Sequence, residues 1–220
     1  STPDLAPVND GFPLSDPTAI LEDLQNRMQQ DFPALDDLTA QTVQCDIQDV
    51  DAGLEAYSSP AFYMIPPIDA LMQNTIRINR SSTADGIELY TTLAHEGYPG
   101  HLYQTVYSSL VCDTQTLPIR KLFSYGGYVE GWAYYTERIS YEYAAQVLAE
   151  AEGSLGSSYP AALLCTLLAQ QRDLQINLFC LLDLSLHYYG AEESELLRSL
   201  ESFGLSEEQS ERVYDYLRTA

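Results

Sequence analysis

The sequence predicts a mainly α-helical protein with a small antiparallel β-sheet. From about residue 85 to the end, apolar residues recur at helical spacing. Between residues 42 and 80, three short segments instead alternate apolar with polar side chains, which is typical of strands. Of the 220 residues, 45% are apolar and 19% are charged, a globular composition that excludes disorder of the whole chain.

The N-terminal residues are predicted to lead into the first helix. Residues 1–14 are rich in Pro and Asp and have no period, so we expect an extended lead-in, followed by a single, mostly helical domain over 15–220. Ser15-Asp16-Pro17 supplies a helix cap and a proline for the first turn, and Phe32-Pro33 ends the helix. Its apolar face consists of Ile20, Leu21, Leu24 and Met28.

The remaining elements are predicted from the same two patterns, helical spacing and strand alternation of apolar residues. Strands are predicted around Val43–Ile47, Ala61–Ile65 and Thr75–Asn79. Helices are predicted near 86–97, 101–112, 127–151, 159–189, 192–203 and 206–218, with a loop over 153–158. Gly190 and Gly204 are expected to end helices, and Ser206 with Gln209 fits a capping box.

The charge of the chain excludes two classes of partner. Asp and Glu number 32 against 10 Lys and Arg, a formal net charge of −22, and such a surface repels nucleic-acid phosphates and anionic membranes. The most apolar stretch, 161–189, is interrupted by polar and charged residues, so no integral membrane segment is expected. Scarce lysine and 17 tyrosines favour an extracellular or cell-surface bacterial protein, with a cytoplasmic location left open.

The four cysteines are widely spaced and form no short metal-binding motif. They are Cys45, Cys112, Cys165 and Cys180. Buried free thiols are the simpler interpretation for a chain long enough to build its own core, and a disulfide is the alternative.

Two of the three histidines lie in one segment, His95-Glu96-Gly97-Tyr98-Pro99-Gly100-His101. A His-Glu pair on a helix followed by a second His is typical of zincins, in which both imidazoles bind Zn²⁺ and the glutamate is the general base for the metal-bound water. The usual spacing is four residues; the six found here would turn the second ring by about 600° on an unbroken helix. Pro99-Gly100 can break the helix and form a bulge that brings His101 back. The alternative is a histidine at a helix end beside an unrelated surface histidine.

A second segment, Tyr128–Glu137, could supply the carboxylate that such a site requires. Glu130 and Glu137 are seven residues apart and therefore share one face of a helix. Two imidazoles and one carboxylate leave a fourth position open for water, which is the catalytic form of a zinc site. A further carboxylate can orient a ligand histidine. The alternative is that both glutamates are solvated surface residues.

Together the two segments resemble a bacterial family known as DUF885, which is grouped with the zincin-type metallopeptidases. Further similarity lies in Tyr63-Met64-Ile65-Pro66-Pro67, in Ile76-Arg77-Ile78-Asn79 and in Arg172 with Asp183–His187. The similar segments cover about residues 57–190, most of the chain. Family members extend further at both ends, so we expect this chain to be a C-terminal fragment of a longer member, part of a longer catalytic domain.

The resemblance implies a zincin-like helical fold with one Zn²⁺ per chain. By this similarity His95, His101 and Glu130 are metal ligands and Glu96 is the general base. Glu137 is an alternative ligand or a partner that orients one. The strands near Tyr63 and Ile78 would edge the cleft and hold an extended peptide by strand addition. The expected substrate-binding residues are Tyr63, Arg77, Asn79 and Arg172.

His187 and Arg172 have two interpretations each. Asp183 lies four residues before His187, so the two share a helical face. His187 is assigned to catalysis, as an imidazole that stabilises an oxyanion opposite the metal; the alternative is a core or interface histidine held by Asp183. Arg172 either neutralises a buried carboxylate or binds a substrate carboxyl group.

The predicted function is that of a zinc-dependent peptidase. The alternative is a catalytically inactive, exported protein that binds a metal or a peptide.

Overall fold

The computed structural model describes residues 11–82, 86–112, 123, 125–151 and 161–219. Within it the chain divides into two compact units, Ser1–Thr166 and Leu167–Ala220. Most of the predicted lead-in and the predicted loop over 153–158 lie outside the described residues. Cys45, Cys165 and Cys180 are free thiols, and the side chain of Cys112 is also outside the described part.

The first unit contains four helices, three strands and several short 3₁₀ turns within its described residues. Their bounds are α1 (Pro17–Arg27), β1 (Gln44–Asp49), β2 (Ala61–Met64), β3 (Gln73–Ile78), α2 (Ile87–Glu96), α3 (His101–Cys112) and α4 (Gly126–Ala151). As predicted, the Asp16 side chain caps α1 by accepting the Ala19 N–H at 2.9 Å, and Pro17 occupies the first turn. The mainly α-helical class is confirmed.

The sheet is mixed, so the prediction of an antiparallel sheet is wrong for one strand. The strand order is β1-β3-β2. β2 pairs antiparallel with β3, with Ala61 opposite Ile78, whereas β1 pairs parallel with β3, with Gln44 opposite Gln73. Alternation of apolar and polar residues indicates which face of a strand is buried, but it carries no information on strand direction.

Packing among the helices of the first unit fixes α4 against α1 and α2. Leu93 and Ala94 of α2 and Ala133 of α4 are fully buried. Arg27 at the end of α1 pairs with Asp23 at 2.9 Å and with Glu150 of α4 at 2.7 Å. Helix α4 is thereby joined to α1 by an ion pair near its C-terminus, and Glu130 and Glu137 of α4 face His95 of α2.

The second unit is a small helical cluster. The unit boundary falls within α5 (Ala161–Asp183), which continues as a π-helical turn over Leu184–Tyr188 and is followed by α6 (Glu193–Ser202) and α7 (Glu207–Thr219). Its core consists of Leu182, Leu196, Leu200 and Leu217. None of the described helices is both long and apolar enough to cross a membrane.

The helix ends of the second unit agree with the sequence prediction. Gly190 and Gly204 have φ values of +67° and +94°, a region that favours glycine. The Ser206 hydroxyl accepts the Gln209 N–H at 3.3 Å, and the Gln209 side chain accepts the Ser206 N–H at 2.9 Å, so the capping box is confirmed.

Candidate metal centre

A tight bulge joins α2 to α3. The Gly97 N–H donates to Leu93 O at 2.8 Å, and the Gly100 N–H reaches back to Ala94 O at 2.9 Å. A Cβ on Gly100 would lie 1.8 Å from the carbonyl oxygen of His95, so only glycine fits at this position. The chain therefore turns back sharply within four residues before α3 begins at His101.

The bulge brings the two histidines of the first motif side by side. The ring centroids of His95 and His101 are 4.8 Å apart, and the rings are almost perpendicular at 87°. Both side chains are largely buried, with 19% and 13% of their surface exposed. The six-residue spacing thus places the imidazoles together because the Pro-Gly insertion interrupts the helix, as the sequence predicted.

Glu130 of α4 faces both of these imidazoles. Its Oε2 lies 3.5 Å from Nε2 of His95, and its Oε1 lies 3.6 Å from Nε2 of His101. Potential ligand atoms from these three residues all lie within 4.8 Å of one another. Zinc binds such atoms at about 2.0–2.2 Å, so two ligands on one tetrahedral ion are roughly 3.4 Å apart. The side-chain types and both contacts of Glu130 fit this requirement.

Glu137 lies on the other side of His95. Its Oε2 is 3.1 Å from Nδ1 of His95, and its side chain is buried. A carboxylate at Nδ1 favours the proton on that nitrogen and leaves Nε2 free to bind a cation. Of the two roles expected for Glu137, this geometry fits the partner that orients a ligand.

Glu96 ends α2 beside the sheet. Its Oε2 accepts the backbone N–H of Tyr63 at 2.8 Å. Burial raises the pKa of the Glu96 carboxyl to about 7, while the nearby His95 and the Tyr63 N–H oppose the rise. A glutamate with such a pKa can take up and release a proton near neutral pH.

The two imidazoles differ in their electrostatic surroundings. Burial lowers the pKa of His95, but the hydrogen bond that its Nδ1–H donates to Glu137 and the charges of Glu96, Glu137 and Glu130 outweigh burial, so that pKa is raised. Burial and repulsion from His95 lower the pKa of His101, against the attraction of Glu130. Three carboxylates around two imidazoles make this an environment that favours a cation.

Two contributors to the site were not predicted from the sequence. Asn74 is buried and accepts a hydrogen bond from the Tyr63 hydroxyl at 2.7 Å, while its own amide donates to Gln44 O at 3.1 Å. These two bonds link the three strands, including the one whose Tyr63 N–H binds Glu96. Trp132 donates its indole N–H to Pro99 O at 2.9 Å. The sequence offered one signal for the tryptophan, since it is the single Trp and follows Glu130 by two residues.

The other expected substrate-binding residues on the sheet contact the protein's own backbone. Arg77 donates to Asp49 O at 3.1 Å. Asn79 is fully buried and donates to Glu55 O at 2.8 Å and to Ser58 O at 3.0 Å. For both residues these contacts shape the loops around the sheet, and a role in substrate binding stays a prediction.

The remaining predicted residues lie in the second unit. His187 Nε2 is 2.9 Å from Leu217 O and 3.6 Å from Asp183 Oδ1. Arg172 Nη1 lies 3.5 Å from Gln175 Oε1. The structure thus brings His187 and Asp183 together on α5 and its π-helical continuation, and the catalytic role of His187 stays a prediction.

The chain is similar to one bacterial family and to a solved structure. The structure is described as "the putative lipoprotein from Colwellia psychrerythraea" and matches with a TM-score of 0.62 at 20% sequence identity. The similarity covers 92% of this chain and 32% of that chain, so this chain spans about a third of that protein's length, and the likeness shows the fold. No curated protein matches the chain. The profile of DUF885, described as a bacterial protein of unknown function, matches residues 5–210, and the chain therefore belongs to the DUF885 family.

Proposed function

We propose that this chain carries the catalytic site of a zinc-dependent peptidase. The observation that supports this most strongly is the convergence of His95, His101 and Glu130 at ligand spacing, next to a glutamate with a raised pKa. Two imidazoles and one carboxylate are one of the donor sets found in catalytic zinc sites, which keep a fourth position open. A zinc ion held there would polarise a peptide carbonyl and acidify a water molecule.

The protein side chains have separate roles in this proposal. Glu96 would accept a proton from the attacking water and return it to the leaving amine, a role that suits a carboxylate buried beside the two imidazoles. Glu137 holds the His95 ring through Nδ1 and stabilises it in the tautomer that presents Nε2. Glu130 and His101 complete the ligand set.

The position of β2 supports a peptide as the substrate. One side of β2 pairs with β3, and on its other side the Tyr63 N–H donates to Glu96. An extended peptide that followed this edge would pass directly by the base. Because the Tyr63 donor is already engaged, such a peptide would have to bond mainly to the carbonyl groups of the edge, a partial form of strand addition.

Location is part of the same proposal. The similar Colwellia protein is described as a "putative lipoprotein". Together with the acidic, lysine-poor composition of this chain, that description supports an exported or cell-surface bacterial peptidase.

A second function is favoured by one observation. The Glu130 side chain is 66% exposed, although it would be a metal ligand. An open site suits a protein that binds a metal or a peptide without hydrolysing it.

The substitution Glu96→Gln tests the proposal. It keeps the size and the acceptor for the Tyr63 N–H but removes the base, so we expect peptide hydrolysis to fall by ~10²–10⁴-fold with zinc content unchanged. Glu88→Gln changes an exposed glutamate on the same helix and should leave turnover at the wild-type rate. Unchanged hydrolysis in zinc-loaded Glu96→Gln protein would refute the assignment; zinc binding without any hydrolysis in the wild type would favour the second function.

A further inference from the structure

The indole of Trp132 connects α4 to the bulge between the two histidines. Its Nε1–H donates to the carbonyl oxygen of Pro99 at 2.9 Å. Trp132 follows Glu130 by two residues on α4, and Pro99 precedes His101 by two residues. One hydrogen bond therefore joins the segment that carries the third candidate ligand to the segment that carries the second.

The Trp132 ring is fixed by its neighbours. Phe32 meets it edge-on, with centroids 5.7 Å apart, and Tyr103 of α3 stacks almost parallel to it at 6.5 Å. The hydroxyl of Tyr103 does not bond to the indole; it donates to Pro33 O at 2.9 Å. The indole N–H is thus presented by a packed aromatic cluster, so its direction is set before any metal binds.

A contact from outside the bulge is needed to hold its middle residues in place. Its internal backbone hydrogen bonds are made by the N–H groups of Gly97 and Gly100, on either side of Tyr98 and Pro99. Proline has no N–H to add to the ladder. The contact from Trp132 to the Pro99 carbonyl is therefore the one described side-chain bond that ties the middle of the bulge to another helix.

We propose that Trp132 is a positioning residue for the metal centre. By holding the Pro99 carbonyl against α4, it sets the distance between His101 and Glu130. Helix α4 then determines three features together: Glu130 faces both imidazoles, Glu137 orients His95, and Trp132 places His101. The inference rests on the metal site of the proposed function, but it concerns affinity and geometry rather than turnover.

Substitution by phenylalanine separates the hydrogen bond from the aromatic packing. Trp132→Phe keeps a ring in the cluster but removes the donor, and we expect zinc to bind at least ~10-fold more weakly, as for other groups that orient ligands. Tyr103→Phe is the matched control, because it keeps the ring that stacks on Trp132 and removes only the hydroxyl that bonds to Pro33 O, a carbonyl outside the bulge. The Tyr103→Phe variant should bind zinc with wild-type affinity, although it loses about as much thermal stability as Trp132→Phe. Affinities are measured by competition with a chromophoric chelator.

Amide hydrogen exchange of the metal-free protein gives a readout independent of zinc. The Gly100 N–H should exchange at least several-fold faster in Trp132→Phe than in the wild type and in Tyr103→Phe. Wild-type zinc affinity and unchanged Gly100 exchange in Trp132→Phe would overturn the inference while leaving the peptidase proposal standing. If the wild type binds no zinc, the metal-site role falls together with the proposed function, whatever the exchange result.

Discussion

Within the described residues a histidine meets a carboxylate in two places, and these differ in construction. His95 and His101 are largely buried, and Glu130 and Glu137, which face them, come from another helix. His187 and Asp183 are about half exposed and lie one turn apart on the same stretch of helix. The first arrangement requires long-range packing to bring its groups together, whereas the second follows from helix geometry alone. Convergence from separate elements, rather than the presence of histidine, distinguishes the stronger functional candidate.

The largest expected effect concerns the bulge that creates the first site. Gly100→Ala places a Cβ within 1.8 Å of a backbone oxygen, so the bulge must open or the chain must rearrange. We expect the free energy of unfolding to fall by more than about 2 kcal/mol and zinc binding to be lost. Chemical denaturation and a chelator competition assay measure the two effects.

Gly127→Ala is the matched control for this prediction. A Cβ at Gly127, within α4, would meet no atom within 4 Å apart from its chain neighbours and the nearby backbone of its own helix. Alanine is favoured over glycine in helices by up to about 1 kcal/mol, so the control should be unchanged or slightly more stable. Equal stability of the two variants would contradict the close packing assigned to the bulge.

A smaller effect, on zinc affinity, is expected from the carboxylate beside His95 but not from the one beside His187. Glu137→Gln weakens the interaction at Nδ1 of His95, and we expect zinc affinity to fall by ~10–100-fold because the ring loses its fixed tautomer. Asp183→Asn makes the equivalent change beside His187 and should leave zinc affinity at the wild-type value. A comparable loss of affinity in both variants would remove the distinction between the sites.

The smallest effect is expected at His187. Its contact with Leu217 O is exposed in part, so His187→Gln should change the free energy of unfolding by no more than about 1 kcal/mol. Zinc content should be unaffected. Thermal unfolding and metal analysis of the same sample test both statements, and a loss of zinc would place His187 in the metal site after all.

The sequence predicted the local parts of this picture well. Helix periodicity, the cap at Asp16 and the glycines at positions 190 and 204 placed the helix bounds within a few residues. These signals act within one or two turns of chain, so a single sequence contains them. The proximity of His95 and His101 was predictable for the same reason, because the Pro-Gly insertion that unites them lies between them.

The contacts between distant segments were harder to predict from the sequence than the local ones. The parallel pairing of β1 depends on how the chain crosses from one edge of the sheet to the other, which alternation does not encode. The bond from the Tyr63 N–H to Glu96 and the one from Trp132 to Pro99 join segments 33 residues apart. Their donors are a backbone amide and an indole, which no metal-site motif specifies, so only the folded arrangement reveals them.

Zinc content tests the central claim most directly. The purified wild-type protein and its His95→Ala variant would be incubated with zinc, freed of excess metal and analysed by mass spectrometry. The account predicts about one zinc ion per wild-type chain and none in the variant, since His95 would supply one of the three protein ligands. Absence of zinc from the wild type, or equal zinc in both proteins, would contradict the assignment of His95, His101 and Glu130 as a metal centre.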